Sequence, residues 1–144
     1  MNHQAYANYV SGMMPKSPLW KDMLFAYLSG GLLCVIGQLI INLYVSFGME
    51  AEAASGAASV SMVFLGALLT GFGVYDKLGR HCGAGTLVPI TGFANSVASP
   101  AIEFKSEGFV AGMAAKMFVI AGPVLVFGLS ASVLYGIVLV LLGK

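Results

Sequence analysis

The stretch His81-Cys-Gly-Ala-Gly-Thr-Leu-Val-Pro-Ile-Thr-Gly-Phe-Ala-Asn-Ser-Val-Ala-Ser-Pro-Ala-Ile102 runs for 22 residues without Asp, Glu, Lys or Arg. It is uncharged without being oily. From Cys82 to Ile102 only six side chains are large and apolar: Leu87, Val88, Ile90, Phe93, Val97 and Ile102. Gly83, Gly85, Gly92, Thr86, Thr91, Asn95, Ser96 and Ser99 fill much of the rest, and Pro89 and Pro100 interrupt it. Such a segment would be costly against acyl chains. Irregular backbone at membrane depth persists only inside protein or along a watery cavity. The composition predicts a broken or re-entrant helix, or a poorly hydrophobic span shielded by neighbours. A surface loop is the alternative, although 22 uncharged residues are long for one.

The rest of the chain explains why membrane depth is at issue. The protein has 144 residues, 58% hydrophobic and 9% charged, where a soluble domain carries about a quarter charged residues. This composition argues against a soluble enzyme, a disordered chain and a nucleic-acid binder. A formal net charge of +1 implies no polyanion partner. Beside the third run stand three other uncharged runs: Met23–Met49 with 27 residues, Ala53–Tyr75 with 23 and Met117–Gly143 with 27. A helix needs about 20 apolar residues to cross about 30 Å of hydrocarbon. In the first run seventeen of the 27 residues are large and apolar. The second begins with small residues and becomes apolar at Val60, so its span should start near Ala57. Pro123 should kink the last run or start it anew. The expected fold is an all-α integral membrane protein of three to four transmembrane helices. Residues 1–22 would form a cytoplasmic or interfacial tail. Residues 23–144 would form one transmembrane domain, with spans near 23–48, 57–75 and 109–143 and a broken segment over 82–102.

The tail places Tyr6, Tyr9, Val10 and Met13 on one helical face. That face could lie on the membrane surface, or the tail could fray before Pro15 and Pro18. The first apolar run is too long, and starts too late, for a cleavable signal peptide. Lys16 and Lys21 precede the first span, Glu50 and Glu52 follow it, and Lys77 and Arg80 follow the second. The excess of basic residues puts the N-terminus and the Asp76–Arg80 turn in the cytoplasm. A re-entrant third run would return Glu103–Glu107 to the cytoplasm and leave the C-terminus outside. A crossing third run would swap them. Lys105 and Lys144 give a weak vote.

In an apolar protein the polar groups are informative. A charge at mid-bilayer costs roughly 2.5–3.5 kcal/mol on insertion scales. Lys116 has eight uncharged residues before it and 27 after it. It reads either as a cation facing an anion path or as a snorkelling interface lysine. Gln38 and Asn42 stand four apart on one face of the first span. They line a cavity or, more commonly, bond to another helix. Asp76, Lys77 and Arg80 form a gate, a partner-docking corner or a topology-setting turn. Thr91, Asn95 and Ser96 are the densest polar group inside an apolar run. With the N-terminus of a half-helix they could receive a carboxylate, or they could simply satisfy a broken backbone. Glu103 and Glu107, four apart, could hold a divalent cation, with a solvated helix face as the simpler account. Gly71 and Gly73 lack the Lys-Ser or Lys-Thr of a phosphate loop. Cys34 and Cys82 lack metal-ligand spacing, and His3 and His81 are far apart in sequence. No catalytic arrangement, metal site or cofactor is expected.

Three motifs carry a resemblance: Cys34-Val-Ile-Gly-Gln-Leu-Ile40, Leu69-Thr-Gly-Phe-Gly-Val-Tyr-Asp76 and the long block Gly83-Ala-Gly-Thr-Leu-Val-Pro-Ile-Thr-Gly-Phe-Ala-Asn-Ser96. With Glu103-Phe-Lys-Ser-Glu-Gly108 and Lys116-Met-Phe118, they resemble the stage V sporulation protein AC family from about Leu24 to the C-terminus. Pro100 departs from the pattern, where a small residue is expected, so the run should not end as regular helix. The resemblance implies a multi-pass protein of the spore inner membrane, in the forespore membrane during sporulation. It implies a channel that moves dipicolinic acid, with calcium, in sporulation and germination, and that opens under membrane tension. It implies as partners other SpoVA proteins, above all an AEb-like sister subunit and a soluble AD-like subunit, in a homo- or hetero-oligomer. A neutral calcium chelate needs hydrogen-bond donors more than a ring of lysines. Thr91, Asn95 and Ser96 would supply them, with Gln38 and Lys116 facing. The rivals are a tension-gated channel with poor selectivity and a non-conducting scaffold docking through Asp76–Arg80 or Glu103–Glu107.

Overall fold

A computed structural model describes residues 3–13 and 18–143. Pro15, Lys16 and Lys144, which entered the tail and orientation arguments, lie outside them. In chain order the elements are α1 (His3–Met13), α2 (Leu19–Ser46), α3 (Ala51–Gly71), α4 (Tyr75–Cys82), α5 (Ala84–Leu87) and α6 (Ile90–Glu103). A 3-10 turn (Lys105–Glu107), a π-helical turn (Phe109–Ala114) and α7 (Ala115–Leu141) complete them. There is no strand among the described residues. Three helical stretches are long and apolar enough to cross a membrane: Leu19–Ser46, Ala51–Gly71 and Phe109–Leu141.

Pro18 stands at the N-cap of α2 and Asp22 lies in its first turn, both suited to a helix start. Along α2 the half-buried residues Ala26, Gly30, Leu33, Gly37, Ile40 and Tyr44 recur at helical spacing and form the inner face. The chain reverses through Gly48, and α3 returns beside α2, with the Tyr44 hydroxyl 2.8 Å from Ser61 Oγ. Helix α3 begins at Ala51, before the apolar residues start, because the helix forms ahead of the hydrophobic stretch.

The third run folds as a short helical hairpin against α2 and α3. The chain leaves α4 at Gly83, whose φ of 51° favours glycine. Helix α5 then lies on the backbone of α2, where Gly85 abuts the Ala26 carbonyl and the Ser29 hydroxyl. A side chain on Gly30 would lie 3.5 Å from Gly85 Cα. The tip, Pro89 and Ile90, borders a cavity with Leu33, Gly37, Ala58 and Met62, near the middle of α2 and α3. Helix α6 runs back along α3, passing Gly66 at Thr91 and Thr70 at Asn95. It ends with Ser99, Ile102 and Glu103 beside Asp76. Entry and exit lie at one end of the bundle, so the hairpin turns back near the middle of α2 and α3 and Glu103 returns to the side of Asp76.

Neither Pro100 nor Pro123 ends its helix. Helix α6 continues through Pro100 to Glu103, and α7 runs unbroken through Pro123. The irregularity before α7 is the π turn, entered through Gly108 at φ 100°. Helix α7 packs along α6 and carries the chain away from the Glu103 end. Apart from Met62, the buried positions are small or polar: Ala54, Ala58, Tyr75, Thr86, Thr91, Ala94 and Ala121, with Gly66, Gly85 and Gly92 among them.

Candidate functional site

Breaking a helix at Val88–Pro89 leaves backbone carbonyls without intrahelical partners. The Tyr75 side chain, 2% exposed, meets this need. Its hydroxyl donates to the Thr86 carbonyl oxygen at 2.6 Å and lies 2.8 Å from Thr91 Oγ1. The phenol has one proton and the carbonyl can only accept, so the Thr91 hydroxyl donates to the phenol oxygen. One α4 side chain thereby pins both arms of the hairpin. Thr86 Oγ1 donates to the Gly83 carbonyl at 3.2 Å and secures the entry turn.

One turn nearer the exit, Thr70 Oγ1 donates to the Gly66 carbonyl at 2.7 Å and to Asn95 Oδ1 at 2.8 Å. The two acceptors share one proton, so the amide is held to α3 loosely. Ser96 Oγ donates to its own helix, to the Phe93 carbonyl at 2.8 Å. Of the three donors proposed from sequence, Thr91 and Ser96 therefore act inside the fold. Among the described residues no buried side-chain polar atom lacks a partner. Asn95 differs. It opens into a cleft of about 210 Å³ with Thr70, Gly73, Asp76, Ser99, Ile102 and Glu103. The structure thus joins one residue of the expected solute path to two of the expected gate.

The other candidates stand apart. Gln38 and Asn42 do not face the hairpin. They lie exposed on the outer face of α2, where Gln38 Nε2 donates to Asn42 Oδ1 at 2.9 Å, because α3 occupies the face that holds Leu33, Gly37 and Tyr44. Lys116 does not face Thr91 either. Its ammonium sits over the Phe104 ring, 4.8 Å from the centroid, beside the last turn of α6. Arg80 pairs with Asp76 at 2.9 Å with both side chains mostly exposed, a geometry worth little stability. Lys77 is exposed, and its carbonyl lies 2.9 Å from His81 Nδ1. Glu103 and Glu107 do not share a helical face, since α6 ends at Glu103 and a 3-10 turn follows. Glu107 instead packs against Gly112 of the π turn. Among the described residues no group of three or more His, Cys, Asp or Glu is placed to hold a metal.

Sequence reasoning missed Tyr75, Thr70 and Thr86. A tyrosine at the end of an apolar run next to a proline-broken segment was the available signal, since a buried phenol needs a hydrogen-bond partner.

A family model described as SpoVAC/SpoVAEB sporulation membrane protein matches residues 22–138. The chain is 45% identical over 134 residues to "Stage V sporulation protein AC" of Bacillus subtilis (strain 168), covering 92% of this chain and 89% of that one. No solved structure matches.

Proposed function

Because the chain belongs to the SpoVAC/SpoVAEB family of sporulation membrane proteins, we propose that it is a subunit of a spore inner-membrane channel for dipicolinic acid, carried as its calcium chelate. The re-entrant hairpin with its cleft at Asn95 carries this reading. A flat chelate close to neutral is met best by neutral donors and acceptors. The cleft offers Asn95, whose amide nitrogen is not used by the bond to Thr70, and the Ser99 hydroxyl. Asp76 and Glu103 line the same cleft and would face the calcium ion of a bound chelate.

The basic residues near the mouth, Lys21, Lys77, Arg80 and Lys105, favour the cytoplasmic side. The N-terminus then lies there as well, and the turn at Glu50 lies outside. One chain of three crossings and a half-depth hairpin encloses little space, so several copies or the AEb-like sister subunit complete the passage. Tension gating fits the contact between α3 and α6, which is made through Gly66 and Ala94 rather than through interlocked large side chains.

Reconstitution in liposomes, with and without the sister subunit, tests this. Under controlled osmotic stress the wild type should release calcium dipicolinate. Asn95→Ala should slow release several-fold while inserting normally. Unchanged release removes Asn95 from the path. No release from wild type with the sister present overturns the channel and leaves a scaffold.

A further inference from the structure

Gln38 and Asn42 are two carboxamides on the outward face of a helix that is otherwise apolar there. Their mutual bond uses one hydrogen of Gln38 and one oxygen of Asn42. Gln38 Oε1 and the Asn42 amide nitrogen remain over. Hydrocarbon offers nothing to either group. Other polar side chains on outward faces close on themselves: Ser132 Oγ donates to its own helix at the Gly128 carbonyl and Ser59 Oγ to the Ser55 carbonyl. The amide pair cannot, because each carboxamide has more donors and acceptors than its neighbour can fill.

What remains over is the Gln38 oxygen as acceptor, with the second Gln38 N–H and the Asn42 N–H groups as donors, at nearly the same depth, a set that complements itself. Two copies of this chain enter the membrane in the same orientation, so a two-fold axis along the membrane normal brings the same depth of each α2 together. Around the amides, Gly31, Cys34, Gln38, Ile41 and Val45 recur at three- and four-residue spacing, the seam of a parallel left-handed helix pair, with Cys34 and Ile41 on its edge toward the α3 cavity. Gly31 has nothing within 4 Å of where a side chain would begin. Gly31 and Cys34 are small enough to let two backbones approach. A polar side chain at one seam position sets register in such pairs. We propose that α2 is a self-association face, on which a second copy of this chain seats in parallel with Gln38 and Asn42 hydrogen-bonded across the axis. This goes beyond the transport reading and does not depend on it. The pair can form whether or not a solute passes.

Cys34 is exposed and lies one turn from Gln38. The full chain carrying Cys82→Ser retains a single thiol and can be oxidised in phospholipid vesicles. A covalent dimer through Cys34 is expected. The control variant Cys34→Ser, Cys82→Ser, Leu43→Cys, with its thiol on another exposed face of α2, should form no covalent dimer. Energy transfer between labelled copies, followed as lipid is added, gives the affinity. Gln38→Leu with Asn42→Leu should weaken it about tenfold, as the loss of a few interhelical bonds predicts, while helix content and insertion remain those of wild type. Equal cross-linking at position 43, a monomer at every dilution, or unchanged affinity in the double variant overturns the proposal and leaves this face to lipid or to a different chain.

Discussion

The α3–α6 contact and the outer half of α7 obey opposite rules. Where α6 meets α3 the buried residues are Ala58, Met62, Gly66, Thr91 and Ala94. In α7, which carries long runs of Val, Leu and Ile, Ala121 is the one buried residue, and Phe127, Leu129, Val133 and Leu134 are each more than 60% exposed. In water this would be an inverted protein. In a membrane it is the expected sorting, since a leucine gains nothing by leaving lipid for protein. Helices associate instead where small residues allow close approach and polar groups find partners. Large apolar residues therefore decide which segments lie in the membrane, and small and polar ones decide which segments touch.

The glycines of the hairpin offer the strongest way to break this contrast. A side chain at Gly92 would run into the Leu87 and Thr86 carbonyls, and one at Gly66 would come within 2.7 Å of the Thr91 carbonyl oxygen. Backbone cannot move aside as a flexible side chain does. Gly92→Val and Gly66→Val should each destabilise the fold by about 3 kcal/mol or more, read as loss of protease resistance and of cooperative unfolding in detergent. A variant with native stability would show that the hairpin does not pack through these glycines.

Tyr75→Phe comes next. It keeps the ring and removes the hydroxyl, so the Thr86 carbonyl and Thr91 hydroxyl lose their shared partner. The expected cost is about 1–3 kcal/mol, seen as a lower unfolding midpoint. Thr91→Val in the Tyr75→Phe background should add less than it does alone, because the two groups form one network. Full additivity would mean the phenol and the hydroxyl act independently.

The smallest effect belongs to α7. Leu129→Ala and Val133→Ala should each change stability by less than about 0.5 kcal/mol in the isolated chain. A cost well above that would mean that α7 is covered by protein, and would move it to the packed side of the comparison.

These two rules also explain what could be read in advance. The long apolar segments and the existence of a broken third one follow from hydropathy and from Pro89 with its neighbouring glycines, which are local properties. The direction of the broken segment is not local. It depends on Gly85 finding Gly30 across α2, and on Tyr75 meeting the orphaned Thr86 carbonyl. That Gln38 and Asn42 share a face follows from their spacing. That this face points away from the hairpin depends on which side of α2 receives α3. Pro100 misled because a helix held along its length by neighbours tolerates the loss of one backbone bond. The π turn at Phe109–Ala114 leaves no pattern in composition at all.

The cradle of the hairpin has a consequence for how the protein is made. Gly30 and Gly66, which receive the two short arms, belong to helices synthesised earlier, and neither arm is greasy enough to enter lipid unaided. The ribosome delivers this segment before anything downstream can shelter it. It must wait at the headgroup level or inside the insertion machinery until the first two helices have docked, then fold into the groove between them. Biogenesis therefore has a built-in order, in which the least hydrophobic piece settles after the two helices that cradle it.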